Sequence, residues 1–214
     1  MLSLINLLCI IVGFMSLVTA KNVNDVEYCT IKLESGFVRG KKNYTLFENN
    51  LYYLFRGNPF AKPPINDLRF KAPVKNDPWT GALDAFDYKE DCLQNKKGIT
   101  VGSENCLFLD VFVPLNCVRM NSSAKLSVLI YIYGGSFVYG TPRYMLPDFL
   151  IDNDVIVVTF NYRMGIMGLM SLNLPEYSVN MAMKDQRQVL RWVNESVGQF
   201  GGDKNRVTLF RVDM

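Results

Sequence analysis

The 214-residue chain carries 23 basic and 20 acidic side chains, so its net charge is only +3. This mild charge, without a basic block, argues against a nucleic-acid-binding protein. Hydrophobic residues make up 49% of the chain and charged residues 20%, which favours one globular core and excludes a disordered chain. The chain has no histidine, so these residues alone cannot form a His-dependent triad or a His-based zinc site.

Residues 1–20 predict a secretory signal peptide. They hold no Lys, Arg, Asp or Glu, are mostly apolar, and end in the small-residue pattern Val18-Thr19-Ala20 before Lys21. An uncleaved anchor is the alternative, because a segment of this length is just long enough to span a bilayer. We expect cleavage, and therefore a secreted mature chain that no membrane segment holds.

Export predicts glycans and oxidised cysteines. The chain has three Asn-x-Ser/Thr sequons, at Asn43, Asn121 and Asn194. The mature chain keeps four cysteines: Cys29, Cys92, Cys106 and Cys117. Their spacing matches no zinc pattern, so we expect neither a metal site nor a cofactor.

Short strands are predicted at the N-terminal side of the mature chain. Val26–Leu33 alternates polar and apolar residues, and Gly36–Arg39 could return as a hairpin. Leu51–Phe55 is another apolar run. Prolines spread from Pro59 to Pro78 predict an irregular loop, because proline fixes φ and lacks a ladder donor.

Three longer apolar runs predict strands at Cys106–Val113, Leu126–Tyr133 and Asp154–Phe160. The last two are almost continuously apolar, as expected of strands that are covered on both faces. A helix is predicted over Asn180–Phe200, and another strand over Arg206–Phe210. The helix has an apolar face made of Ala182, Val189, Val193, Val197 and Phe200. The order strand, helix, strand predicts parallel pairing with a right-handed crossover and an α/β fold class.

A series of short motifs runs from about Glu34 to Phe210. The motifs are GNPFA (57–61), PP (63–64), LRF (68–70), WTG (79–81), CLQ (92–94), SENCLFLDV (103–111), YGGSF (133–137), NYRMG (161–165), DQ (185–186), RWV (191–193), FGGD (200–203) and VTLF (207–210). Each motif is weak alone. Together and in this order they resemble the type-B carboxylesterases, a family of secreted α/β-hydrolases that includes the cholinesterases.

The resemblance implies an α/β-hydrolase with a mostly parallel central sheet, short N-terminal β pieces and crossover helices. It also implies hydrolysis of a small carboxylic ester by a Ser, an acid and a His. In that family the nucleophile follows the strand that matches 207–210, within a G-x-S-x-G turn, and this pattern occurs nowhere in the chain. We therefore expect residues 21–214 to be the N-terminal part of the domain, ending before the nucleophile and inactive alone.

The resemblance also assigns the loop that begins at Tyr133. Gly135 and Ser136 match backbone donors of the oxyanion hole, where small residues allow the backbone to approach a developing oxyanion. A plain Gly-Gly turn after a buried strand is the alternative interpretation.

Other residues match structural positions of the family. Cys92 and Cys106 match its first disulfide, while a pairing of Cys29 with Cys117 stays open. Buried ion pairs are implied between Arg69 and Glu104 and between Arg163 and Asp185. The loop 93–105 has no aromatic residue and two lysines, which argues against a choline substrate.

Two other functions are compatible with these features. The chain could be a non-catalytic secreted binding or adhesion protein on the same fold, or a scavenger that binds esters without turnover. The sequence predicts neither the substrate nor the oligomeric state.

Overall fold

The computed structural model describes residues 28–114, 125–171, 174 and 177–212. The predicted signal peptide, the sequon at Asn121 and the cysteine at Cys117 lie outside these residues. No helix of the described segments is long and apolar enough to cross a membrane.

Ten strands and three α-helices make up the described part of the chain. The strands are β1 (Tyr28–Leu33), β2 (Gly36–Tyr44), β3 (Leu51–Pro59), β4 (Ala82–Asp84), β5 (Gln94–Lys96), β6 (Ile99–Val101), β7 (Phe108–Pro114), β8 (Leu126–Ile132), β9 (Ile156–Phe160) and β10 (Gly202–Arg211). The helices are α1 (Asp148–Asp152), α2 (Gly165–Leu169) and α3 (Met181–Ser196). Short 3-10 helices span Asn66–Leu68, Pro142–Tyr144 and Val197–Phe200.

The main sheet has the strand order β1-β2-β3-β7-β9-β8-β10, with β4 beside β2. Strands β9, β8 and β10 are parallel, as the strand–helix–strand order predicts. The N-terminal strands join this unit through antiparallel pairs, and β7 pairs antiparallel with β9. The predicted α/β class is confirmed, with a mixed sheet whose C-terminal part is parallel.

Helix α3 covers one face of the parallel strands. Its predicted apolar face is buried in the same hydrophobic cluster as Val128 and Ile130 of β8 and Ile156 and Val158 of β9, and the same face continues into the 3-10 helix that follows. Gly201 ends the helical segment in a left-handed conformation at φ 83°, which glycine adopts without steric cost.

The opposite face has a smaller core under helix α1. Ile151 of α1 packs with residues of three strands: Tyr52, Leu54, Phe112 and Val157. All five residues of β9 are therefore buried, because both faces of this strand are covered. The continuous apolar run at Asp154–Phe160 predicted this arrangement.

Strand β10 forms the edge of the sheet in the described part of the chain, and Leu209 and Phe210 are about half exposed on it. An exposed apolar edge strand is a template for pairing with other chains.

We expect Leu209→Lys to reduce aggregation of the 214-residue chain, measured by light scattering at increasing concentration. Thr100→Lys adds the same charge at an exposed position away from β10 and serves as the control. Equal scattering from the parent chain and Leu209→Lys would contradict the prediction.

Candidate active site

The loop that follows β8 has an unusual backbone. Positive φ angles occur at Gly135 (121°), Ser136 (52°), Phe137 (58°) and Gly140 (154°). The carbonyl of Gly135 accepts hydrogen bonds from the N–H groups of Val138 and Tyr139, at 2.9 and 3.3 Å. A Cβ on Gly135 would lie 1.9 Å from the carbonyl oxygen of Tyr139, so only glycine fits there. Gly135, the second glycine of the pair that the sequence singles out, is therefore required by a tight, closed turn.

Two stacked tyrosines lie beneath this loop. The rings of Tyr133 and Tyr162 are 4.5 Å apart at an interplanar angle of 19°, and the Tyr162 hydroxyl donates to the Tyr133 carbonyl at 2.8 Å. Burial raises the pKa of Tyr162 to about 12 and the pKa of Tyr133 well above its usual value. Both hydroxyls therefore stay protonated at neutral pH and act as hydrogen-bonding groups rather than bases.

The loop and the tyrosines border a cavity of about 230 Å³. Its lining residues come from the end of β8, the loop, the segment after β9, helix α3 and β10: Ile132, Tyr133, Gly134, Gly135, Ser136, Phe137, Tyr162, Met183, Gln186 and Arg211. The cavity lies at the carboxyl ends of the parallel strands, where open α/β sheets bind their ligands. Gly135 and Ser136 are thus placed at a cavity, as an oxyanion loop requires.

The chemistry that these lining residues offer is incomplete. No carboxylate or histidine is among these lining residues. The loop can supply backbone N–H groups and Arg211 a positive charge. The described cavity lining therefore offers groups that can stabilise an anion.

Two hydrogen bonds and a disulfide hold the loop from the outside. The buried Gln94 side chain accepts from the Gly140 N–H at 2.8 Å and donates to the Gly140 carbonyl at 2.9 Å. Cys92, two residues before Gln94, forms a disulfide with Cys106. A cross-link that closes a loop of about 15 residues is worth about 3 kcal/mol in the chain-entropy model. The loop after β8 is therefore fastened to a covalently closed segment.

Arg163 and Asp185 form an ion pair below the cavity. The guanidinium donates to both carboxylate oxygens at 2.8 and 2.7 Å, and the Arg163 backbone N–H donates to the same carboxylate at 3.1 Å. The exposed fractions of the two side chains are 4% and 0%. Burial raises the pKa of Asp185, and the hydrogen bonds from Arg163 oppose that rise. The pair fixes the segment after β9, which carries Tyr162, onto helix α3.

Arg69 and Glu104 also meet, with two hydrogen bonds of 2.6 and 2.8 Å. Their side chains are 46% and 24% exposed, which differs from the expectation of a buried pair. Both residues lie in surface segments outside the main sheet, where solvent reaches the contact. This pair is a peripheral contact, and its free-energy contribution is correspondingly small.

The described sequons occupy different surroundings. Asn43 lies on β2 and its side-chain N–H donates to the Tyr52 hydroxyl at 2.6 Å, whereas Asn194 is exposed on helix α3. Glycan attachment stays a prediction.

The Cys29 thiol is partly buried on β1, and burial raises its pKa to about 11. The pairing of Cys29 with Cys117 stays open.

Two features of the site region were not predicted from the sequence. One is the stacking of Tyr162 on Tyr133, since the sequence motifs name both tyrosines without placing them together. The other is Asp110, a buried carboxylate of β7. A single acidic residue inside the apolar run CLFLDVFV was the available signal, because a carboxylate in a buried strand needs partners.

A mixed sheet with a glycine-rich loop at the carboxyl end of its parallel strands defines an α/β-hydrolase type of scaffold. The family model for the Carboxylesterase family matches residues 27–211. The chain belongs to this family.

Known proteins agree with this assignment. The chain is 40% identical to Esterase B1 of Culex pipiens over 190 residues, covering 86% of the chain and 34% of that protein. It is 39% identical to juvenile hormone esterase of Tribolium castaneum over 181 residues, covering 82% of the chain and 30% of that protein. The crystal structure of juvenile hormone esterase from Manduca sexta, with OTFP covalently attached, superposes with a TM-score of 0.77 at 34% identity, covering 86% of this chain and 36% of that one. The chain thus spans about a third of the length of the relatives that it matches.

Proposed function

We propose that this chain is the N-terminal part of a secreted carboxylic-ester hydrolase, with its signal peptide at residues 1–20. In this proposal residues 21–214 hold part of the oxyanion hole, and the nucleophile, the acid and the histidine come from outside the 214 residues. The observation that carries the proposal is the closed, positive-φ turn at Gly135 and Ser136, which lines a cavity at the ends of the parallel strands.

The proposed role of the loop is electrostatic. Backbone N–H groups of Gly135 and Ser136 would donate to the carbonyl oxygen of a bound ester and stabilise the negative charge that develops when a nucleophile attacks. Side-chain identity at position 136 matters little for this role, since the backbone N–H is the donor. The fastening of the loop through Gln94 keeps the donors in place before the substrate arrives.

The same proposal predicts that the 214-residue chain does not hydrolyse esters by itself. It has neither a G-x-S-x-G turn nor a histidine. Loss of the catalytic groups costs about 10⁶-fold in rate in serine hydrolases that have been disabled by mutation. Purified chain should give no p-nitrophenyl butyrate hydrolysis above buffer and no labelling by a fluorophosphonate probe. A labelled serine in this chain would overturn the proposal.

The role of the loop is tested in a chimera. In it, residues 1–210 are joined to the region of Culex pipiens Esterase B1 that follows the matched segment. We expect esterase activity in the chimera. Gly135→Ala should then lower kcat by about 10²–10³-fold, the cost of losing an oxyanion donor, because the new Cβ displaces the turn. Ser136→Gly is the matched control and should stay close to the parent activity. Equal activity of the two variants would contradict the assigned role of the loop.

A further inference from the structure

A second, larger cavity lies beside the candidate active site and takes no part in the proposed mechanism. It is an open groove of about 620 Å³, within the range of small-molecule sites. Its lining residues are Asn95, Lys96, Lys97, Ile99, Tyr139 and Tyr144. One wall is the hairpin of β5 and β6, and the other comes from the loop after β8 and the 3-10 helix that follows it.

The hairpin wall is held rigidly. Lys97 and Gly98 form its two-residue turn with φ angles of 55° and 85°, as in the type I′ turns that suit hairpins. The Asn95 side-chain oxygen accepts from the Gly98 N–H at 2.8 Å and closes the turn. Gln94, at the start of β5, is bound to Gly140 of the opposite wall. The two walls are therefore joined, and the groove is formed before any ligand enters.

The charge of the groove is positive. Lys96 and Lys97 line it, whereas no carboxylate does so among the described residues. Lys96 is 3.8 Å from Asp91, whose carboxylate also lies 3.8 Å from Arg143 and accepts from the Thr141 hydroxyl at 2.7 Å. Lys97 forms no ion pair within the described segments. The Asp91 carboxylate thus faces two cations, Lys96 and Arg143. Lys97 adds a third positive charge at the rim of the groove.

The remaining lining is apolar or aromatic and exposed. Ile99 is 67% exposed at the hairpin, and Tyr139 and Tyr144 present their rings from the other wall. Exposed apolar side chains around a concave surface mark a binding site more often than scattered single residues do. A ligand that suits this lining has an apolar body that lies on Ile99 and the tyrosines, and an anionic end that reaches the lysines.

We propose that this groove binds a small organic carboxylate with an aliphatic or aromatic body. Binding at the groove requires no hydrolysis and stands apart from the proposed function. One consequence does rest on that function: if the neighbouring loop serves ester hydrolysis, the groove selects esters that carry an additional carboxylate.

The binding test uses three ligands that share one apolar body. 4-Phenylbutyrate, 4-phenylbutanol and 4-phenylbutylamine are titrated separately into the 214-residue chain, and binding is followed by saturation-transfer NMR. We expect the carboxylate to bind about fivefold more tightly than the alcohol, and the amine to bind most weakly. Added salt should reduce the difference in affinity among the three ligands, since the charged groups of the groove are exposed to solvent and are screened.

Charge variants at the turn separate groove binding from general effects. Asn-Gly and Asp-Gly are favoured in this turn type, so Lys97→Asn and Lys97→Asp preserve the hairpin. Lys97→Asn should weaken phenylbutyrate binding about threefold, and Lys97→Asp should reverse the preference in favour of the amine. Lys204→Asp makes the same charge change on exposed β10, near the opposite end of the parallel strands, and should leave the preference unchanged.

Three results would overturn the proposal. They are equal affinity for the acid and the alcohol, no binding of any of the three ligands, and a Lys204→Asp effect as large as that of Lys97→Asp. None of these results bears on ester hydrolysis, so failure of the groove proposal is distinct from failure of the proposed function.

Discussion

Replacing Asp185 by asparagine is expected to lower the free energy of unfolding by about 3–5 kcal/mol, the usual cost of breaking a buried ion pair by removing one partner. The carboxylate is fully buried and receives three hydrogen bonds from Arg163. Asparagine keeps the shape but leaves a buried guanidinium without its counter-charge, and arginine cannot escape by losing its proton. Pulse proteolysis in urea at low protein concentration measures the effect without interference from aggregation.

Two comparisons make this result specific to a buried pair. Arg163→Met leaves Asp185 unpaired. Because burial raises the pKa of the Asp185 carboxyl, this group can take up a proton when its partner is removed. The loss in free energy of unfolding caused by Arg163→Met should therefore be smaller at acidic pH. Glu104→Gln breaks the exposed pair with Arg69 and should cost about 0–1 kcal/mol. A similar cost for Asp185→Asn and Glu104→Gln would show that the pair below the cavity contributes little.

Burial on both faces explains why the central elements were predictable. Val157 and Val158 point to opposite faces of β9 and are both buried, so the strand has no polar face and is visible as a continuous apolar run. Helix α3 is equally clear, because its buried residues recur at helical spacing, and the 3-10 helix that continues it ends at Gly201. In these segments the sequence pattern and the tertiary environment agree.

The hairpin β5–β6 was not predicted, and its residues show why. Gln94–Lys96 and Ile99–Val101 are short and contain few apolar residues, so no alternation is visible over three positions. The hairpin is held by the Lys97-Gly98 turn, by the nearby disulfide and by the hydrogen bonds of Gln94 to Gly140. Two of these three restraints are contacts between residues distant in sequence, which a local pattern does not contain.

The candidate site likewise combines features that a local motif predicts with contacts between segments distant in the sequence. Gly135 and Ser136 were identified by a contiguous motif, and the resemblance supplied their expected role. The stacking of Tyr162 on Tyr133 depends on how the loops after β8 and β9 meet, since the two residues are 29 positions apart in the sequence. The groove beside Lys97 likewise arises from two walls that the sequence keeps apart.

Asp110 controls a second large effect, on the pH dependence of stability. Burial raises the pKa of this carboxyl from 3.8 to about 6, and the Gly57 N–H and Thr159 hydroxyl that bind it only partly oppose the rise. Between these two pKa values the folded chain binds more protons than the unfolded chain. The free energy of unfolding therefore falls as pH rises through this window, by about 3 kcal/mol from this group.

Asp110→Asn should remove this slope. The amide oxygen can accept from Gly57 and the amide nitrogen can donate to Thr159, so the variant keeps the contacts without burying a charge. We expect it to be more stable than the parent chain at pH 7, with the difference vanishing towards pH 4. Urea unfolding of the parent chain and of Asp110→Asn from pH 4 to pH 7 measures this difference in the free energy of unfolding.

Asp84→Asn provides the control of opposite sign. The hydrogen bond from Arg39 lowers the pKa of the exposed Asp84 carboxyl, so the stability that this contact gives is present at neutral pH and lost as pH falls through the lowered pKa. Asp84→Asn should therefore be less stable than the parent chain at neutral pH and equal to it in strong acid. A difference between Asp110→Asn and the parent chain that stays constant from pH 4 to pH 7 would contradict the prediction, because it would mean that folding does not change the proton occupancy of Asp110 in this range.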